Sequence, residues 1–387
     1  MQQNYWYLIF AVALVEAFVL SLLMTIGVRR LAIKLDIVDH PGERKMQHAP
    51  VPLLGGISIY LSFNLVILAN LAALVLARRL DSEWLNENVL AFLGDSTVQP
   101  LIGIFAGGFL IFLLGIVDDI KALSPEIKLG GQIAAALVLV LSGVRLDFFI
   151  GDLLNALPFT ASMSEEWRAI VQYAVSGSAS IFWVVMMTNS MNFLDNMDGL
   201  SGGISVIAAL SFFLCVLPQH EYFLCAMLMV FAGAVAGFLY HNLNPASIYM
   251  GDAGAMFCGY ILATVAVLGT FYSAKGASPV TVAAPLLALC VPIFDTCSVV
   301  YIRWRKGESI MKGDKRHFSH RLVEMGMSPR HAVDFIFLVA GVIGLGGALL
   351  SQVTALGTMI ILGQTAGVFL LIVLLMNARR SAGKERP

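Results

Sequence analysis

Eleven segments of this chain, each about 20 residues long, are almost free of charge. Hydrocarbon offers no partner for an open backbone N–H or C=O, so a lipid-facing segment of this kind is stable only as a helix. The segments run roughly over 5–28, 51–77, 99–117, 127–144, 168–190, 199–217, 221–240, 253–272, 279–302, 332–351 and 355–376. The marginal one, 127–144, is short and has Lys128 at its start. With 58% hydrophobic and 13% charged residues, the balance excludes a soluble globular domain. The expected architecture is all-α: one polytopic membrane helix bundle spanning 1–387 with eleven transmembrane helices.

Charge placement tests that count. With the N-terminus outside, the odd-numbered loops and the C-terminal tail face the cytoplasm. Of the 24 Lys and Arg residues, only Arg78, Arg79, Arg145, Arg168 and Lys275 then fall outside. A miscounted span would scramble this asymmetry, so the C-terminus is expected inside. The opening MQQNYWYLIF has no basic region and no small-residue cleavage site, so the first segment reads as a retained span. The outer segment 145–167 contains an apolar stretch that reads as an interfacial helix or hairpin. Cys215, Cys225, Cys258, Cys290 and Cys297 lack metal-type spacing and read as small buried residues without a disulfide.

The polar residues are as uneven as the charge. Each inner loop carries a dense motif: DHPGERKMQHAPVPLLGG (39–56), GIVDDIKALSPEIKLGGQ (115–132), NFLDNMDGLSGG (192–203), HNLNPASIYMGDAG (241–254) and GDKRHFSHRL (313–322). No outer loop has one. The expected site is built from loops at about 29–50, 118–128, 191–199, 241–252 and 303–331, meeting on one face of the bundle.

Asp118 and Asp119 adjoin at the end of a span, where neighbouring carboxylates share a proton or meet a cation. A solvated or helix-capping pair is the alternative. Asp195 and Asp198 share a face if the segment continues as a helical turn. Asp252, in MGDAG, fits a metal ligand or an N-cap equally well. Five acids at one depth, with little basic charge close in sequence around four of them, call for an outside cation. Mg²⁺ bound to a phosphate substrate supplies one, with Mn²⁺ as the alternative metal. Mg²⁺ uses only one or two carboxylates, which leaves other acids for acid/base work.

Lys312, Lys315, Arg316, His317, His320 and Arg321 fall within ten residues of one another. Guanidinium and imidazole at this spacing suit a phosphate or sugar hydroxyl, although a basic loop also serves topology alone. Arg44, Lys45 and His48 add basic character in loop one, and Lys121 and Lys128 flank the Asp pair. Tyr249 and Asn242 fit a nucleobase contact, although a Tyr near a membrane interface also reads as a belt residue. Within the spans, Glu16 and Asp295 are intramembrane acids and therefore functional candidates; Asp295 is expected near the inner site or paired with a base, and Glu16 has no visible partner.

In these motifs the chain resembles the polyprenyl-phosphate N-acetylhexosamine-1-phosphate transferases, of the glycosyltransferase family 4 type. The motifs occur in family order, and the resemblance covers about residues 5 to 376. It implies transfer of a sugar 1-phosphate from a UDP-sugar to a polyprenyl phosphate, with release of UMP and use of Mg²⁺. It implies catalytic roles for Asp118, Asp119, Asp195, His317 and His320, and a metal-ligand role for Asp252. It implies substrate contacts from Arg44, Lys45, His48, Lys121, Lys128, Asn192, Asp198, Asn242, Tyr249 and Arg321. VPLLGG and the HRL ending look like the undecaprenyl-phosphate N-acetylglucosaminyl 1-phosphate transferase branch, which feeds O-antigen, teichoic acid and other envelope glycans. That branch often reads His-x-His-His-Arg, and Ser319 replaces the middle His here. The runner-up is the phospho-MurNAc-pentapeptide transferase branch of peptidoglycan synthesis. A secondary transporter with an acidic relay is the rival of another class, but its relay would lie near the bilayer midplane. The expected setting is the cytoplasmic (inner) membrane with the site facing the cytoplasm. The expected partners are a UDP-N-acetylhexosamine, a polyprenyl phosphate and the bilayer, with no nucleic acid and a homodimer allowed.

Overall fold

The computed structural model describes residues 3–40, 50–79, 98–146, 157, 163–273, 283–309 and 316–384. Helices α1 (Gln3–Lys34), α2 (Gly55–Arg78), α3 (Val98–Ile120), α4 (Pro125–Leu141) and α5 (Glu165–Leu194) form the first half. Helices α6 (Leu200–Val216), α7 (Tyr222–Asn242) and α8 (Gly251–Ser273) follow. The rest comprises α9 (Ala283–Ala288), α10 (Cys290–Arg305), α11 (Phe318–Glu324), α12 (Pro329–Leu349) and α13 (Ala355–Lys384). The starts follow local chemistry. Ser164 and Ser328 accept hydrogen bonds from Trp167 N and His331 N, satisfying N–H groups that have no partner inside the helix. Pro125 and Pro329 sit at helix starts, where a missing N–H costs nothing.

Among the described residues, nine helices are long and apolar enough to cross a membrane. The other two expected segments take different forms. The 127–144 segment is the 17-residue α4. The 279–302 segment breaks at Leu289 into α9 and α10. Pro292 explains the break, because it has no N–H to give the Ala288 carbonyl four residues back. Bulky apolar side chains such as Leu8, Phe182, Leu338 and Met359 point outward, as expected of a surface solvated by lipid. The chain is a polytopic membrane helix bundle.

Helix α8 is the axis. In the most apolar 18-residue window of its Gly251–Gly269 stretch 94% of residues are buried, against 11% for that of Ala355–Asn377 in α13. It is packed by α2, α3, α5 and α6, and a helix enclosed on all sides is apolar all round. Helix α7 is held by α1, α2 and α6; α4 bridges α3 and α5; α10 lies on α5; α12 covers α6 and α9. The all-α expectation needs one small correction. Two-residue strands β1 (Val38–Asp39) and β2 (Val51–Pro52) pair antiparallel, Val38 with Pro52 and Asp39 with Val51. Pro52 O then accepts from Tyr249 N at 2.8 Å, tying loop one to the start of α8.

Four cysteines are buried and all five are free thiols. Cys297 departs from the expectation and is exposed. It lies two residues after the inward-facing Asp295, which on a helix is the opposite face. Glu16 also gains a partner: Asn70 Nδ2 donates to its Oε2 at 3.1 Å on the outer face of α1 and α2. Most of the proposed interfacial segment at 145–167 lies outside the described residues.

Candidate active site

The two adjoining acids at the end of α3 part company. Asp119 turns to α8, where its Oδ1 accepts from Asp252 N at 2.7 Å and its Oδ2 from Ala253 N at 3.2 Å. It thus caps α8 from another helix, placing a carboxylate at the positive end of the helix dipole. Asp252, for which an N-cap was one sequence reading, is instead the capped residue. Gly251 makes this possible: its φ is +71°, and a Cβ there would meet Asp119 Oδ2 at 2.6 Å. Gly115 does the same for the helices, since a Cβ on it would lie 2.2 Å from Ala253 Cα.

Asp118 turns the other way. Its Oδ1 accepts from Leu123 N at 2.8 Å, and its Oδ2 pairs with Lys128 Nζ in the first turn of α4. Lys128 Nζ also donates to Asp252 Oδ2 at 2.8 Å. Asn192, in the last turn of α5, donates from Nδ2 to Asp252 Oδ1 at 2.9 Å. Side chains from α3, α4, α5 and α8 therefore meet at one end of the bundle.

One turn deeper lies a layer that sequence reading missed. Asn189 Nδ2 donates to Gln132 Oε1 at 2.6 Å, and Gln132 Nε2 returns a bond to Asn189 Oδ1 at 3.3 Å. Gln132 Nε2 also lies 3.4 Å from Met256 Sδ. Gln132 is four residues after Lys128, Met256 four after Asp252, and Asn189 three before Asn192. The layer repeats the upper cluster at helical spacing and fixes the register of three helices. An amide in each of two neighbouring spans, one turn from a charged residue, was the available signal.

Asp195 and Asp198 do not share a helical face, correcting that expectation. Helix α5 ends at Leu194, Asp195 is its C-cap, and Asp198 lies in the turn before Gly199. Asp198 Oδ2 accepts from Asn244 Nδ2 at 2.9 Å and Ala246 N at 3.0 Å, so it organises the 244–246 loop. Asp195 turns to the acids. Desolvation, then the charges of Asp252, Asp119 and Asp198, push its carboxyl up to about 8. Asn242 is buried, accepts from Gly199 N at 3.1 Å and donates to Ile248 O at 2.9 Å, so both ends of its amide serve the protein. The half-buried Tyr249 has its phenol pushed up to about 12, first by desolvation and then by Asp198, Asp39 and Asp195.

The histidine loop docks on the same surface. Ser319 Oγ donates to Asn196 Oδ1 at 2.6 Å, joining α11 to the 195–199 turn. The His317 ring stands 6.3 Å from Phe193 and 6.4 Å from His320, centre to centre. Arg321 Nη2 donates to Ser298 Oγ at 2.5 Å, with its guanidinium over Phe294. Asp295 pairs with His317, as one sequence reading anticipated. Lys121 is exposed beyond α3. Arg44, Lys45 and His48 lie outside the described residues.

Among the described residues, no three His, Cys, Asp or Glu side chains form a self-sufficient metal cage. Mg²⁺ sites built on one or two carboxylates, with phosphate and water completing the octahedron, need none. Asp252 and Asp118 supply two carboxylates for such a site, with their facing oxygens both held by Lys128 Nζ, which would have to turn aside for Mg²⁺ to reach them.

Comparison with known proteins extends these observations. The family model "Glycosyl transferase family 4" matches residues 101–270, the span from α3 to α8. A Bacillus subtilis (strain 168) protein named probable undecaprenyl-phosphate N-acetylglucosaminyl 1-phosphate transferase is 30% identical over 348 residues, covering 89% of this chain and 86% of that protein. The decaprenyl-phosphate N-acetylglucosaminephosphotransferase of Mycolicibacterium smegmatis is 31% identical over 388 residues, covering 96% and 89%. The undecaprenyl-phosphate alpha-N-acetylglucosaminyl 1-phosphate transferase of Escherichia coli (strain K12) is 24% identical over 344 residues, covering 87% and 82%.

Proposed function

Because the chain belongs to glycosyl transferase family 4, we propose that it moves N-acetylglucosamine 1-phosphate from UDP-N-acetylglucosamine to a polyprenyl phosphate, releasing UMP. The observation that carries this reading is the Lys128 ammonium set between Asp118 and Asp252 where four helices end. The donor is a soluble dianion and the acceptor a phosphate on a lipid, so they meet only at a membrane surface. The acids sit in terminal turns rather than mid-helix, which favours a transferase over a transmembrane relay.

Phosphoryl transfer is mainly positioning and charge neutralisation. Both carboxylate oxygens of Asp119 hold the start of α8, so its part is to fix Asp252. Asp118 is the member of the pair that faces Lys128, and together they hold the acceptor phosphate and keep its attacking oxygen ionised. That oxygen bonds to the β-phosphorus as the bond from the β-phosphorus to the bridging oxygen breaks, and UMP leaves with the bridging oxygen. Asn192 orients Asp252. His317, His320 and Arg321 meet the donor's phosphates and sugar. Asp252, with Asp118 beside it, would hold Mg²⁺, which supplies positive charge to the diphosphate when bound.

The eleven-span topology belongs to the same proposal: nine long helices, the short α4 and the broken α9–α10 pair, with the N-terminus outside and the site facing the cytoplasm. Purified protein given undecaprenyl phosphate, Mg²⁺ and a panel of UDP-sugars should release UMP fastest with UDP-N-acetylglucosamine. Faster release from UDP-MurNAc-pentapeptide would move the chain to the runner-up branch, and no release from any UDP-sugar would refute the reading.

A further inference from the structure

Asp295 is 1% exposed within α10, and the reaction above gives it no role. A buried carboxylate of this kind persists only when its oxygens are satisfied. Its Oδ2 meets His317 Nδ1 at 2.7 Å, and its Oδ1 accepts from the backbone N–H of Phe318. Both partners are themselves buried. The grip is wider than one bond. Ser298, one turn further along α10, donates from Oγ to Asp295 O and accepts from Arg321. Thr296 Oγ1 donates to Ser190 Oγ at 2.9 Å, tying α10 to α5 two residues before Asn192.

An ionised carboxylate accepts and does not donate, so the His317 nitrogen facing it carries the proton. The other nitrogen, Nε2, is then the one left for a ligand. Phe193, adjoining the Asp252 partner Asn192, packs beside the same ring. We propose that Asp295 is a positioning residue: it holds His317 in the Nδ1–H tautomer and turns Nε2, as an acceptor, toward a hydroxyl of the donor's sugar. The inference rests on the transferase reading for its ligand, but its tautomer claim stands on the geometry alone. The alternative is that Asp295 only anchors the start of α11 through Phe318 N–H.

The test uses the full chain in detergent. In ¹⁵N-histidine spectra recorded where the ring is neutral, with His317 assigned by its loss in His317→Gln, the wild type should carry the ring proton on Nδ1. An Nε2–H wild-type ring overturns the proposal without any Asp295 variant having to fold. In Asp295→Asn the amide N–H₂ faces the ring, and the signal should move toward Nε2–H. UMP release should show kcat lowered about 100-fold with KM little changed, a size typical of a misplaced substrate-positioning group. Asp295→Asn added to His317→Gln should lower kcat by less than about 2-fold, because the residue acts through a ring already removed. Equal losses in both backgrounds would show an anchoring role only and overturn the proposal. A wild type that releases no UMP would refute the transferase reading, while the tautomer still decides the Asp295–His317 pair.

Discussion

At the scale of single residues, the site is a set of acids given different work by their neighbours. Asp119 caps, Asp118 and Asp252 share Lys128, and Asp198 braces a loop. Lys128→Ala should therefore lower UMP release by about 100-fold or more, since it leaves two facing carboxylates without their shared cation. Equal activity in wild type and variant would remove Lys128 from the mechanism. Asp195 gives a pH signature. Its carboxyl is raised from 3.8 to about 8 in the fold. Between those values the folded protein keeps a proton that the unfolded chain has lost, so stability falls as pH rises through that window. In EDTA, Tm should drop between about pH 5.5 and pH 8.5, and Asp195→Asn should flatten the slope. A wild-type Tm that rises over this range would contradict the assignment.

At the scale of elements, the site depends on how closely helix ends approach. Gly115 lets α3 touch α8 backbone to backbone, and Gly251 leaves room for the Asp119 carboxylate. Gly251→Ala should destabilise the protein by roughly 1–3 kcal/mol, through a left-handed φ and a clash with Asp119. A thermal melt in detergent checks this, and an unchanged Tm would mean that the cap relaxes freely. The positions of the nine long apolar helices, the polar motifs and the membership of Asp118, Asp119, Asn192 and Asp252 in one cluster were legible in the sequence, because hydropathy and local motifs carry them. What each side chain bonds to was not. That Asp119 caps a helix some 130 residues away, or that Asn242 spends its amide on Gly199 and Ile248, depends on tertiary approach. The pairing of Asp195 with Asp198 on one face failed because α5 stops one residue before Asp195. The break at Leu289 was foreseeable from Pro292; the Gln132–Asn189 layer had only a faint helical-spacing signal.

At the scale of the molecule, α8 is a buried axis whose first turn is the floor of the site, and the surrounding helices deliver one polar motif each to that end. Loops far apart in sequence thus share one surface: β2 bonds Tyr249, the 195–199 turn bonds α11, and α4 bonds α8. In the proposed orientation this surface faces the cytoplasm. A reporter fused at the C-terminus should be active only if it folds in the cytoplasm, and a periplasmic signal would invert the topology. The central claim is that Asp252 is the cation-holding residue of a phosphotransfer site shared by these loops. Its most direct measurement is a Mg²⁺ titration of UMP release from UDP-N-acetylglucosamine and undecaprenyl phosphate, for wild type and Asp252→Asn. The account predicts saturable Mg²⁺ dependence in the wild type and a loss of about 100-fold or more in the variant. A variant with wild-type rate and wild-type Mg²⁺ dependence would contradict it.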